Sequence, residues 1–177
     1  MKKLLVPIVA LALITAGCKS RGSDNQQDGK TITLDLTPKS GSKVSGTAEF
    51  AEKGGEVTLT MNMTGLEPGI HATHIHEKSD CSAPDASSAG GHWNPTFKNH
   101  GKWGSANYHR GDIGNFPVNA DGVGTVVFST SEWCIGCGDK SKDIVGKSII
   151  VHTGSDDYVT QPTGDAGGRI ACTAIIK

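Results

Sequence analysis

The chain has 177 residues, enough for one domain with a real core plus a leader and too few for two ordinary domains, so a single site is expected. Its 17 Lys and Arg and 18 Asp and Glu, a formal net charge of -1, are scattered without a basic cluster, which excludes a nucleic-acid footprint and a polybasic lipid-binding surface. Glycine at 24 positions and only 5% aromatic residues, with many Thr, Val and Ile, favour short strands on tight turns over helical bundles.

In chain order, Lys2 and Lys3 precede an apolar run from Leu4 to Ala16 that is interrupted by Pro7 and Thr15. This is the pattern of an export signal over residues 1–17, and the run is short for a membrane span, which needs about 20 apolar residues. Leu13-Ile14-Thr15-Ala16-Gly17-Cys18 resembles the lipobox of bacterial lipoproteins, with Thr15 where an aliphatic residue is usual; it makes Cys18 the expected lipidation site. Residues 18–30 are polar and nearly devoid of large apolar side chains, so they read as a tether that cannot offset its ordering entropy by burial. The expected location is the cell envelope, with membrane contact only through the anchor.

From Thr31 the apolar period becomes two. Ile32, Leu34 and Leu36 alternate with polar residues, as do Val57, Leu59, Met61 and Met63, which predicts two half-buried strands. Further strands are predicted over Val44 to Phe50, His71 to His76, Gly122 to Ser129, Gly146 to His152 and Arg169 to Ile176, separated by Gly, Asp, Asn and Pro-rich turns. The fold class is all-β, a sandwich or barrel. Two long stretches, Glu77 to Arg110 and Ser129 to Asp143, have no period, and loops of that length in a compact domain are usually functional or disordered.

All seven histidines lie between residues 71 and 152, which argues for function. His74 and His76 sit on a predicted strand, where residues two apart share a face and Ile75 points the other way. His92, His100, His109 and Asp112 follow in one glycine-rich stretch, and three or four His and Asp ligands from one loop suit tetrahedral zinc. His152 closes an apolar run and can complete an all-nitrogen set with His74 and His76, a donor set that favours copper(II). His71 falls on the opposite strand face from His74, which fits a structural histidine. Two metal sites of different preference are expected.

The motifs Gly69-Ile-His-Ala-Thr-His74-Ile-His76-Glu77, Gly91-His92-Trp-Asn-Pro95, His100, His109-Arg-Gly-Asp112, Val151-His152 and Gly168-Arg169-Ile-Ala-Cys172 resemble, in order and spacing, the copper,zinc superoxide dismutase family through nearly the whole of residues 31–177. The resemblance implies an eight-stranded Greek-key β-barrel, immunoglobulin-like, with long metal-binding and active-site loops. It implies copper on His74, His76, His92 and His152, and zinc on His92, His100, His109 and Asp112. His92 would then be a bridging imidazolate, and the activity would be dismutation of superoxide to dioxygen and hydrogen peroxide. It further assigns Arg169 to guiding the anionic substrate and Asp156 to linking His74 with His100, with the adjacent Asp157 competing for that role.

Without Cys18, four cysteines allow three pairings. The family pattern selects Cys81 with Cys172. Cys134-Ile-Gly-Cys137 is an addition to that pattern, read as a small surface disulfide, with redox exchange or copper(I) capture as the alternatives. The segment between His152 and Arg169 contains no lysine and is shorter than in many relatives, so electrostatic steering of substrate is expected to be weak. A periplasmic copper chaperone or metal buffer is the competing function and a noncatalytic barrel the third. Retention of every copper histidine and of Arg169 favours the enzyme. Monomer and homodimer both remain open.

Overall fold

The apolar alternation that begins at Thr31 does form strands, and the computed structural model describes them within residues 29–177. The expected leader, the Cys18 lipidation site and the tether as far as residue 28 lie outside the described residues. Nine antiparallel strands form: β1 (Lys30–Asp35), β2 (Thr37–Pro38), β3 (Ser45–Lys53), β4 (Glu56–Thr64), β5 (Gly69–His76), β6 (Gly114–Val118), β7 (Gly124–Thr130), β8 (Ser148–His152) and β9 (Arg169–Ala174). Lys30, assigned to the tether from sequence, is the first residue of β1 and pairs with Glu52.

Neighbouring strands run in the order β1-β3-β4-β7-β6-β5-β8-β9-β2. The two ends of this ladder are consecutive in the chain. β1 pairs with β3, Leu36 still donates its N–H to Gly46 O at 2.9 Å, and then Thr37 and Pro38 cross to pair with Cys172 and Ala171 of β9. One strand therefore serves both edges and nearly closes the barrel. This is why nine strands stand where eight were expected: the first is split at Leu36. The connections from β4 to β5 and from β7 to β8 pass over the barrel ends instead of joining neighbours, which is Greek-key connectivity.

Period-two patterning explains the core. In β4, Val57, Leu59, Met61 and Met63 all point inward and are buried, facing Phe50 and Ala48 of β3 and Val126 of β7. Leaving water contributes roughly 1.5–3 kcal/mol for each such large side chain. β8 behaves differently, with all five residues of Ser-Ile-Ile-Val-His buried. Its inner face meets the core, while Ile150 on the outer face packs with Ala86, Ala89 and Cys172 under the loop that follows β5. A strand covered on both faces reads as a continuous apolar run.

β6 was not anticipated. Its buried residues Gly114, Phe116 and Val118 do alternate, but Asn115 and Pro117 read as turn residues. Proline is tolerated because β6 pairs fully with β5 and touches β7 only at Val118 and Gly124.

Cys81 and Cys172 are joined, across 91 residues of sequence, which fixes the loop after β5 onto β9. Closing so long a ring contributes roughly 4–5 kcal/mol in the chain-entropy account. Replacing both cysteines by alanine is expected to lower the urea midpoint of the metal-loaded protein by a corresponding amount, measured by equilibrium denaturation, and an unchanged midpoint would show that the loop needs no staple.

Candidate metal centre

Three adjacent strands carry the first group of side chains. β5 presents His74 and His76 on one face with Ile75 in the core, β8 ends at His152, and Arg169 opens β9 opposite His152 across an irregularity in the ladder. The loop after β5 then returns to the same strand twice. Trp93 donates its N–H to Ile75 O at 2.8 Å, Gly111 donates to Trp93 O at 3.0 Å, and Ile75 donates to Gly111 O at 2.9 Å. This triangle fixes three short segments against one another, and each holds a residue adjacent to a candidate ligand: His74 and His76, His92, and Asp112. Gly111 is required there, since a Cβ would run into Ile75 O.

The result is two side-chain sets that share a residue. The candidate ligand atoms of His74, His76, His92 and His152 lie within 4.8 Å of one another, and so do those of His92, His100, His109 and Asp112. All seven residues are buried. Every histidine expected from sequence to bind metal is thus brought into one of the two groups, and His92 belongs to both.

Each of these imidazoles has one nitrogen held by the protein and directs the other inward. His74 Nε2 bonds to Asp156 Oδ2 at 2.9 Å, His76 Nδ1 to Gly90 O at 2.9 Å, His152 Nδ1 to Gly167 O at 3.2 Å, His100 Nε2 to Asp156 Oδ1 at 2.9 Å and His109 Nε2 to Lys98 O at 3.1 Å. The opposite nitrogens, His74 Nδ1, His76 Nε2, His152 Nε2, His100 Nδ1 and His109 Nδ1, have no hydrogen-bond partner, and neither has His92 Nε2. Buried polar atoms without partners cost about 1–3 kcal/mol each, and six converging on two points are what a pair of metal ions would satisfy. On the second side His100 Nδ1 lies 2.9 Å and His109 Nδ1 3.2 Å from the Asp112 carboxylate without a hydrogen-bonding angle, as donors around one ion would. The chemistry of the sets differs too, with four nitrogens in the first and three nitrogens and one oxygen in the second. These are donor sets for copper(II) and for zinc.

Electrostatics follow from burial. Desolvation, reinforced by neighbouring imidazoles, holds His76 and His152 well below the usual histidine range and His92 at about 3. Burial also disfavours charge on His100, but the adjacent carboxylates of Asp112 and Asp156 outweigh it and raise that ring to about 9. Burial opposes ionisation of the two carboxylates, yet their histidine partners hold both well below the ordinary range.

Asp156 bridges His74 and His100, while Asp157 is exposed and accepts the Val159 and Thr160 N–H groups at 2.8 Å each. The choice that sequence left open therefore falls on Asp156. Arg169 is half-buried, with Nη1 on Ala86 O at 2.7 Å and Nη2 on Gly90 O at 2.8 Å. His71 belongs to neither set, its two nitrogens facing His152 O and Glu67 O at 2.8 Å each. Cys134 and Cys137 are joined as a surface disulfide.

Sequence reading missed the supports of this centre. Gln161 Oε1 accepts the His100 N–H at 2.8 Å and its Nε2 donates to His100 O at 3.0 Å. Asn115 clasps the Asp156 backbone, donating to its carbonyl at 2.8 Å and accepting its N–H at 2.7 Å. Gly164, at φ 69°, leaves the space that a Cβ would take from Asp156 and His100. No motif marks Gln161 or Asn115; the Gly at 164 in a turn-rich segment was the one visible sign.

A Greek-key barrel bearing two buried metal-binding sets that share one imidazole defines a binuclear metalloprotein. The chain matches the copper/zinc superoxide dismutase family over residues 44–175, and it belongs to that family. It is 34% identical to a protein of Deinococcus radiodurans named "Superoxide dismutase [Cu-Zn]", covering 95% of this chain and 93% of the relative. It is 33% identical to "Superoxide dismutase-like protein YojM" of Bacillus subtilis, covering 99% and 97%. A crystal structure of a double mutant of a SOD-like protein from Bacillus subtilis aligns with a TM-score of 0.71 at 34% identity, over 82% of this chain and 97% of that one. The protein is a superoxide dismutase whose cofactors are copper and zinc.

For the metal-free protein the shifts set a pH profile. His76, His92 and His152, lowered in the fold, contribute stability that is present at neutral pH and lost below about 6.5, where the unfolded chain binds protons first; the two carboxylates add to the loss below about 4. His100, raised in the fold, contributes stability present below about 6.5 and lost as pH rises through about 9. Urea midpoints of the metal-free protein are expected to peak near neutrality and fall on both sides, steeply toward acid; a midpoint still rising as pH drops from about 6 to about 4 would contradict this.

Proposed function

We propose that His74, His76, His92 and His152 hold the copper, that His92, His100, His109 and Asp112 hold the zinc, and that His92 is the bridge between them. The reading is supported by one observation: six partnerless buried nitrogens converge on two points, and the ring of His92 faces both, Nε2 toward the first set and Nδ1, 2.8 Å from Asp112 Oδ1, toward the second. Copper, when bound, supplies reversible one-electron exchange with superoxide, whereas zinc has no redox chemistry.

The chain's own groups do the rest. Arg169, locked by two carbonyls beside His76 and His152, offers its charge and remaining N–H groups to the incoming anion. His92 Nε2 is the atom that takes a proton and delivers it to the departing peroxide. Asp156 sets the rings of His74 and His100 in fixed tautomers, Nε2–H outward and Nδ1 inward, as a carboxylate behind a ligating histidine does.

The physiological task we infer is protection of the cell envelope from superoxide. It rests on the leader-like first 17 residues and the lipobox-like segment ending at Cys18, which give a signal peptide, a lipid-anchored lipoprotein and a periplasmic or outer-membrane location, with residues 31–177 as the catalytic domain.

Copper and zinc loading followed by direct measurement of superoxide decay tests the assignment. His152→Ala is expected to slow superoxide decay at least about a hundredfold, about 2.7 kcal/mol in activation free energy, while zinc remains at one equivalent. Decay equal to the unmutated protein would remove the copper assignment. Because the segment 153–168 has aspartates but no lysine, the decay rate constant is expected to change little with ionic strength; a steep fall on adding salt would show a steering field that these residues do not provide.

A further inference from the structure

The Cys134–Cys137 pair shares no residue with either histidine set and has no part in the dismutase chemistry. It lies in the loop between β7 and β8, and that loop is held without it. Cys134 donates its N–H to Lys142 O at 2.9 Å and accepts the Ile144 N–H at 3.1 Å. Asp143 Oδ1 takes the N–H groups of Gly136 and Val145 at 2.8 and 3.1 Å, and Oδ2 takes that of Gly138 at 2.8 Å. Ile135 is buried in the core, its N–H on Glu52 at 3.0 Å and its carbonyl accepting Lys30 Nζ at 2.9 Å. The disulfide itself spans three residues of sequence against 91 for Cys81–Cys172, and so short a ring restrains the unfolded chain far less. Its contribution as a staple is small.

The two sulfurs also differ in access. Cys134 is 7% exposed while Cys137 is on the surface. Asp143 lies close enough to complete a metal-ligand triad with them, but both of its oxygens are already taken by backbone N–H groups, which argues against a metal cage. The arrangement is a reachable sulfur in front, a sheltered one behind, and a backbone that stays in place when the bond opens.

We propose that Cys134 and Cys137 form a reversible thiol–disulfide exchange site that takes electrons from dithiols. A thiolate of the dithiol attacks Cys137 Sγ, the Cys134–Cys137 bond breaks, and Cys134 leaves as a thiolate that takes a proton from water. The second sulfur of the dithiol, once deprotonated, then attacks its own sulfur in the mixed disulfide. Cys137 is released and protonated, and the partner closes as a disulfide. Two electrons and two protons reach the protein for each dithiol oxidised, and a disulfide partner reverses the sequence.

The metal-loaded full chain is titrated with dithiothreitol under native conditions, free thiols are alkylated, and the labelled peptides are identified by mass spectrometry. Cys134 and Cys137 are expected to become labelled at about tenfold lower dithiothreitol than Cys81 and Cys172, equivalent to about 30 mV for a two-electron couple. The circular dichroism should be unchanged, and oxidised glutathione should restore protection. A Cys134→Ser, Cys137→Ser double variant should keep its thermal midpoint, its zinc and copper content and its superoxide decay rate. Labelling that appears only together with Cys81 and Cys172, labelling only on unfolding, failure to re-close, or loss of folding in the double variant would each overturn the proposal and leave the bond as a structural staple.

Discussion

Three backbone hydrogen bonds among Ile75, Trp93 and Gly111 are the constraint from which the metal centre follows. They tie the end of β5 to two points of the long loop, and every candidate ligand but His100, His109 and His152 is next to one of the three residues. A loop whose coordinates were set only by its own turns would leave His92 free to face either set. Here its neighbour Trp93 is locked to the same strand residue that separates His74 from His76. The place of His92 between the two sets is thereby fixed by the main chain before any side chain is chosen.

Placing six imidazoles and two carboxylates in a buried cluster is costly in the absence of cations. Neutral rings, with one nitrogen each satisfied by Asp156, Gly90, Gly167, Lys98 or Asp112, reduce the charge problem but leave the inward nitrogens without partners. Binding free energy at such a cluster is folding free energy, so the barrel supplies the frame and the ions complete it. The division of labour between the two carboxylates is clear from their contacts. Asp112 faces into the second set, and Asp156 stands behind both sets and joins them through the outer nitrogens of His74 and His100.

Much of this was legible in the sequence because ligand residues carry strong chemistry at strand spacing. His74, Ile75 and His76 declare a strand with two donors on one face, and Val57 to Met63 declare one with a single buried face. Where residues are chemically plain, pattern reading failed. β6 was hidden by Asn115 and Pro117, although Phe116 and Val118 are buried. The split of the first strand at Leu36 depends on which neighbour is nearer at each end of the barrel, and local sequence does not encode that. Asp156 and Asp157 are identical in type, and only the positions of His74 and His100 tell them apart. Gln161 and Asn115 act through backbone contacts with residues far along the chain, a relation without a local signature.

The carbonyl of Gly90 accepts two hydrogen bonds, one from the imidazole of His76 and one from the guanidinium of Arg169. A single oxygen atom thus serves an inward-facing ring of the first set and the guanidinium of Arg169. Any displacement of that peptide moves both at once, so, on the roles proposed for these two side chains, ion geometry and anion capture are not separately adjustable. Variation that improves one by shifting residue 90 is then opposed by the other, since both side chains follow the same peptide.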